Sequence, residues 1–410
     1  MNYIWGLLGC LAILFIAFLL SENKKKINYR IVIIGTLLQL LFGFIVLKSE
    51  TGRLILEKIS GGVRNIIHYG NEGLAFVFGS LADASQPTGF IFGVRVAAMA
   101  IFVTALIAVL YHYGIMQFFV RIIGGGLAKI LGTSRAESLT AASNIFLGLQ
   151  EAPVIIKPYI KTLTKSEIFA VMVGGLASVA GGTLLAYAAL GIPINYLLSA
   201  SFMAAPAGLV FAKILIPETE VPVTSTASGV EVEEEGKGIE KRSVIDVITR
   251  GAMDGMKMAT LIIAMLVAFI SILALVNGIL GGIGGWFGFK DLSLQLLFGY
   301  IFAPLAFIMG VPWHEAMQAG NLLGQKVILN EMVAFTSFQP MMENLSDKTV
   351  AIMTFALCGF ANIGSLGILI GGMTAFAENQ RAVVAKLGLK AVLAGTLANL
   401  MSGAIAGMFM

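Results

Sequence analysis

Eight stretches of this chain are apolar over close to the ~17–25 residues a helix needs to cross a bilayer: 3–20, 31–47, 90–111, 167–190, 193–216, 257–277, 349–375 and 383–409. In hydrocarbon every backbone N–H and C=O must find a partner inside the protein, so such isolated runs can only be helices. Composition agrees. Of 410 residues, 58% are hydrophobic and 12% charged, against roughly 45–50% and 25% in a soluble domain. The chain reads as an all-α polytopic membrane protein with eight transmembrane helices. Cys10 and Cys358 lie in separate apolar runs and suggest no disulfide framework.

Charge placement orients the spans. The first apolar run lacks a basic stretch before it and is followed by Lys24, Lys25, Lys26 and Arg30. It therefore reads as an uncleaved helix with its basic end in the cytoplasm. Lys157, Lys161, Lys165, Arg381, Lys386 and Lys390 also fall on the side expected to face the cytoplasm. An even number of crossings then places both termini outside the cytoplasmic membrane.

The stretches 136–163 and 314–345 do not fit as crossings. Each has two short apolar arms about a polar, broken centre, which predicts two re-entrant hairpins. Residues 144–156, NIFLGLQEAPVII, show the pattern: Gly148 and Pro153 make a tip, and Glu151 sits on it. Irregular backbone at membrane depth survives only when buried in protein or facing a water-filled cavity. The regions around the hairpins also resemble each other. Residues 166–172 match 346–353, with Ala170 on Ala351 at an offset of 181. That offset takes Glu151 almost onto Glu331 and lays 178–182 over 359–363.

With one hairpin entering from each side, the expectation is an inverted repeat with discontinuous helices, a scheme many secondary transporters share. The predicted organisation is scaffold helices with an extracytoplasmic amphipathic segment over 1–112, a first repeat half over 113–216, and a cytoplasmic linker over 217–246. A scaffold helix over 247–280 and a second repeat half over 281–410 complete it. In each half an amphipathic helix, a hairpin, a broken helix and a last crossing follow in order, the two halves forming a transport domain beside the scaffold.

Ionisable groups at membrane depth are costly, by roughly 2.5–3.5 kcal/mol on insertion scales, and mark function or pairing. Structural alternatives stand beside the functional ones. Glu151 could be bonded to backbone amides, Glu331 could pair with Lys326, and Asn144 and Ser178 could join helices. Two carboxylates with amides at matching repeat positions point instead to a neutral ligand rich in N–H and O–H donors. Thr183, Phe360, Asn362 and Ser365 add an aromatic face and small polar groups. His314–Gln318 lacks the second histidine of a zinc protease helix, and Gly320–Lys326 lacks the Gly-Lys-Ser/Thr of a phosphate loop. Nothing suggests a redox cofactor or nucleic-acid binding.

The set GLQEAP, ASVAGGT, NEMVA and FANIGS resembles the concentrative nucleoside transporters over essentially the whole chain. The resemblance implies a homotrimer of the elevator type in the inner, cytoplasmic membrane, importing nucleosides by symport with sodium or protons. It implies that Gln150 and Glu151 face the base with Thr183 beside it, and that Glu331, Asn362 and Ser365 take ribose hydroxyls while Phe360 packs on the nucleoside. It also implies a cation site from the side chains of Asn144 and Ser178 and the carbonyls of Leu147 and Val179. Proton-coupled relatives tend to lose the asparagine that is present here, which favours sodium. Leu149 stands where the family commonly has glutamine, and members with an apolar residue there prefer purines; Gln150 beside it departs from the family pattern. The alternatives are a proton-coupled symporter of pyrimidine or broad specificity and, from other classes, a channel for small polar solutes or an intramembrane enzyme. An enzyme would need a nucleophile with a partner base or paired aspartates inside the spans. Neither is present.

Overall fold

The computed structural model describes residues 2–82, 91–149, 151–226, 243–289, 292–376 and 378–410. Among these, every regular element is helical. In chain order they are α1 (Asn2–Leu19), α2 (Tyr29–Leu47), α3 (Glu50–Phe78), α4 (Phe92–His112), α5 (Ile115–Leu131), α6 (Arg135–Ser143), α7 (Lys165–Ala177), α8 (Gly181–Ala189), α9 (Ile194–Leu215), the single turn α10 (Val223–Thr226), α11 (Val244–Trp286), α12 (Leu294–Ile308), α13 (Trp313–Ile328), α14 (Glu331–Phe338), α15 (Asp347–Leu357), α16 (Ile363–Phe376) and α17 (Arg381–Phe409). Short 3-10 segments include Ala152–Thr162 and Gln339–Asn344.

Among the described residues, six stretches are long and apolar enough to cross a membrane: Tyr29–Leu47, Gly93–His112, Lys165–Ala189, Ile194–Leu215, Val244–Trp286 and Glu378–Phe409. They coincide with six of the eight expected spans. The other two are present as shorter pieces. The first is the apolar helix Tyr3–Leu19, and the expected span 349–375 is divided between α15 and α16. One apolar element was not expected. α12 and α13 together qualify as a seventh span but bend by 116°, where Gly310 takes φ +101° and Pro312 precedes α13. Glycine tolerates that left-handed backbone and proline cannot continue a helix.

The expected amphipathic segment 48–89 is, in its described part, one continuous helix. α3 buries Gly52, Ser60, Gly70 and Leu74 and leaves Leu54, Ile55, Ile59, Phe76 and Val77 exposed. In the linker, residues 227–242 lie outside the described residues. Its first part folds back, with the Thr224 hydroxyl on the Glu167 carboxylate at 3.2 Å and Glu218 on Lys213 at 3.3 Å.

Burial separates a core from a periphery. The spans from Lys165, Ile194 and Glu378 are 94%, 89% and 83% buried, whereas those from Tyr29, Gly93 and Val244 are 28%, 24% and 17% buried. The core is thus α7–α9 and α17, with α15 packed on α17.

One carboxylate ties the start of α6 to the start of α7, and another ties the start of α13 to the start of α15. In the first, Glu167 at the third position of α7 accepts from the Thr164 amide at 2.9 Å and from the Ser134 hydroxyl, ahead of α6, at 2.6 Å. In the second the roles are exchanged. Glu315 at the third position of α13 accepts from the amide and hydroxyl of Ser346, ahead of α15, at 2.9 and 2.8 Å, and from Thr349. These bonds occupy N–H groups that a helix start leaves free. Glu137 on α6 adds a buried ion pair to Lys213 on α9 at 2.7 Å.

The run Gly320–Gly324 is a packing face. A Cβ on Gly320 would lie 2.5 Å from the Ala303 nitrogen and 2.8 Å from the Gly299 oxygen, so α13 meets α12 backbone to backbone. Glycines four apart allow such an approach. Because the clash is with main chain, Gly320→Val should cost at least the ~1–3 kcal/mol of ordinary overpacking. It would be read as a lower melting midpoint of the detergent-solubilised protein. Gly278→Ala, where an added Cβ meets nothing within 4 Å, should leave that midpoint unchanged. A Gly320→Val protein as stable as the wild type would refute the contact.

Candidate functional site

The site forms where the breaks of α7–α8 and α15–α16 touch each other and the two hairpins. α7 ends at Ala177, and Ser178 is extended, with φ −108° and ψ 174°. α15 ends at Leu357. Between the breaks, the Phe360 amide donates to the Ser178 carbonyl at 3.1 Å. The first hairpin reaches the same place, since the Gly181 amide donates to the Phe146 carbonyl at 3.0 Å.

In the first half, Asn144 caps the end of α6 and is 1% exposed. Its side chain lies against α7, where a Cβ on Gly174 would come within 3.0 Å of the amide nitrogen. Neither amide atom has a hydrogen-bond partner. Leaving such a group buried and unpaired costs about 1–3 kcal/mol, and buried polar groups in proteins are rarely left so. The Ser178 hydroxyl donates to the Gly174 carbonyl at 2.9 Å, which leaves its oxygen lone pairs available. Among the described residues the carbonyls of Leu147 and Val179 accept no hydrogen bond. The unpartnered Asn144 amide therefore lies beside the C-terminal part of α7, where the helix dipole is negative.

At the hairpin tip Leu149 is buried and packs over Gly175. Gln150 lies outside the described residues. Glu151 is exposed, and its carboxylate lies over Gly148. On α8, Thr183 is buried and its hydroxyl is unpartnered.

The second half centres on Glu331, in the first turn of α14. Its carboxylate accepts from the Tyr187 hydroxyl at 3.0 Å and from the Asn362 amide at 2.8 Å. The Asn362 oxygen accepts from the Ser365 amide at 2.7 Å and so caps α16. Glu331, Asn362 and Ser365 are thus brought together, and Phe360 in the same break is half-buried. The pairing of Glu331 with Lys326 is not what the structure holds: the Lys326 ammonium donates instead to the Ala356 carbonyl at 2.7 Å and the Asn399 side-chain oxygen at 2.6 Å.

Tyr187 is the residue the sequence reading missed. It comes from the first half, is fully buried, and stacks on Phe335 with ring centroids 4.5 Å apart. The available signal was spacing, since Thr183 and Tyr187 are four apart on α8 and share a face.

With this geometry in view, the comparisons with known proteins decide the family. A family model described as Na+ dependent nucleoside transporter C-terminus matches residues 196–407, its N-terminal counterpart matches 8–81, and a nucleoside recognition (Gate) model matches 94–193. The chain belongs to the concentrative nucleoside transporter family. It is 53% identical over 409 residues to the uncharacterized transporter YutK of Bacillus subtilis, covering 100% of both chains. To the nucleoside permease NupC of Helicobacter pylori it is 44% identical over 99% of this chain and 97% of the relative. The structure of CNTnw in an inward-facing, substrate-bound state matches with a TM-score of 0.94 at 47% identity, covering 100% of this chain and 98% of the other. A concentrative nucleoside transporter with several apolar helices is a multi-pass membrane protein, and its relatives are transporters rather than enzymes.

In this transporter the bonds at Glu331 give a graded expectation. Glu331→Gln, which keeps the shape and removes the charge, should reduce transport about ten- to hundredfold, the value of a charge-assisted hydrogen bond or two. Tyr187→Phe should reduce it only several-fold, since the Asn362 bond remains. Both proteins should reach the membrane at wild-type levels. Wild-type transport by Glu331→Gln would remove this carboxylate from the site.

Proposed function

We propose that this chain imports nucleosides across the cytoplasmic membrane by symport with sodium, favouring purine nucleosides. The observation that carries the sodium reading is the buried, unpartnered side chain of Asn144 beside the end of α7. With Ser178 and the carbonyls of Leu147 and Val179 it makes an all-oxygen set, suited to a small hard cation at a helix C-terminus. Among the described residues no lysine or arginine pairs with Glu331 or Glu151, which suits a neutral substrate.

In this reading the ribose hydroxyls donate to Glu331, which is already oriented by Tyr187 and Asn362, with Ser365 beside them. Phe360 packs on the nucleoside. The base meets Leu149, Gln150, Glu151 and Thr183. The cation acts on the same structure, because Asn144 leads into the hairpin tip that Phe146 fastens to α8. An ion that binds the loaded arrangement more tightly than the empty one drives accumulation. The proposal includes hairpins of opposite orientation, extracytoplasmic termini, and a homotrimer in which the buried core moves as an elevator against α2, α4 and α11.

Uptake of labelled inosine and uridine into proteoliposomes, with and without a sodium gradient, tests it. Sodium should be required, and Asn144→Ala should raise the sodium concentration for half-maximal uptake. Uptake indifferent to sodium that follows the pH gradient would replace sodium by protons.

Base preference is tested separately. Leu149 offers apolar surface to a second ring, and ~25 cal/mol per Å² over a ring edge supplies about 1 kcal/mol, a several-fold preference. Inosine or guanosine, whose N1–H can donate to Glu151, should outcompete uridine, and Leu149→Gln should shift selectivity toward uridine. Equal or stronger competition by uridine in the wild type would overturn the purine preference alone. Glu151→Gln should abolish uptake while leaving expression near normal.

A further inference from the structure

Behind the two breaks lies a second polar centre that the transport reading does not use. Lys326, on α13, is 1% exposed and donates to the Ala356 carbonyl at 2.7 Å and to Asn399 Oδ1 at 2.6 Å. The Asn399 amide, on α17, donates to the carbonyls of Ala177 at 2.6 Å and Cys358 at 3.2 Å. One ammonium and one amide thereby serve the last carbonyls of both helices that stop at the breaks. Gly359 leaves room for this, since a Cβ there would overlap the Asn399 amide. No carboxylate lies within ion-pair distance of Lys326 among the described residues, and Phe302, Leu305, Leu323 and Leu400 surround it with apolar surface. The Lys326 amino group thus lies against the C-terminal end of α15 and, through Asn399, faces that of α7, with Glu331 acting on it from beyond ion-pair distance. The partial charges of both helix ends are negative and would repel each other.

The repeat gives this charge a counterpart. α7 and α15 carry side-chain caps at Thr164 and Ser346, an offset of 182 that is one residue longer than the sequence match. At that offset Gly174 corresponds to Ala356 and Asn144 to Lys326. Asn144 lies against Gly174, and the Lys326 ammonium bonds to Ala356. A polar head from α13 and one from the end of α6 thus each reach the last turns of the helix that runs to a break, Asn144 three residues before the end of α7 and Lys326 one before the end of α15.

We propose that the Lys326 ammonium is the covalently tethered counterpart of the coupling cation. It holds the end of α15 as the exchangeable ion holds the end of α7, so the second half needs no ion of its own. The inference rests on the cation reading of Asn144, and it makes Lys326 a positioning residue for the break that carries Phe360 and Asn362.

The test is sodium-dependent inosine uptake into proteoliposomes by the wild type, Lys326→Met and Lys326→Asn. Each protein is checked for monodispersity and melting midpoint. Lys326→Met keeps bulk without charge, and its uptake should fall about tenfold or more while the protein stays folded. Lys326→Asn recreates the first-half residue in the second. At high sodium it should recover uptake above the Met variant, with the Hill coefficient for sodium rising from about one toward two. Should Lys326→Asn not assemble, Lys326→Gln, which also brings an amide oxygen to the site, is read in the same way. Wild-type uptake by Lys326→Met would overturn the proposal. So would equal losses in both variants with no added sodium dependence. If the wild type proves proton-driven, the sodium reading of Asn144 fails. Sodium dependence gained by Lys326→Asn would still uphold the tethered charge, and its absence would overturn it.

Discussion

Everything in this structure depends on satisfying two interrupted helices away from water. Each interruption frees carbonyls and amides that hydrocarbon cannot serve. The protein answers by bringing the breaks into contact. Phe360 N–H reaches the Ser178 carbonyl, and Asn399 spans the ends of both preceding helices. Once the breaks are crossed in this way, the backbone groups that stay free lie on a shared centre, where a ligand or ion can use them. Binding capacity is then a consequence of how the fold solves its own hydrogen-bonding problem.

Much of this was legible in the sequence because it is written in local contrasts. A carboxylate beside glycine and proline in an apolar run announces a tip, and Ser-Val-Ala-Gly-Gly or Gly-Phe-Ala-Asn announces a break. Those contrasts, with the family resemblance, pointed to Glu331, Asn362 and Ser365, which the structure joins through Asn362. Asn144 and Thr183 were found that way too, and both carry buried side-chain atoms without partners. What stayed hidden is long-range. Tyr187 is 144 residues from Glu331 and Lys326 is 73 from Asn399, and each sits in an ordinary helical context. α12, which lies where only an amphipathic helix is expected, hid its apolar character for a different reason. At 15 residues it is shorter than a span and becomes one only when taken with α13 across a sharp bend. The run Gly320–Gly324 lacks the pattern of a phosphate loop, and its meaning lies in the helix it faces.

The hairpin feet explain how tips can be precise without being rigid throughout. Glu167 and Glu315 each clamp the start of a hairpin to the start of the following broken helix. Both clamps satisfy N-terminal amides with a charge-assisted acceptor, the stronger class of hydrogen bond. In one clamp the carboxylate comes from the later helix, α7, and in the other from the earlier one, α13. The tips sit a hairpin's length from these anchors, so their position is set by what they touch at the breaks.

That difference separates the two carboxylates. Glu331 is buried and held by Tyr187 and Asn362 from two other elements, so its orientation is fixed before anything binds, and little ordering cost remains. Glu151 is exposed and lies over its own tip at Gly148. A site with one preorganised and one adaptable end suits a ligand whose one part is constant and whose other part varies. In the proposed cycle the constant ribose meets Glu331 and the variable base meets Glu151. The departure from the family pattern at Leu149 and Gln150 falls at the adaptable end. In that cycle a change of side chain there alters selectivity while Glu331, Tyr187 and Asn362 keep their bonds to one another.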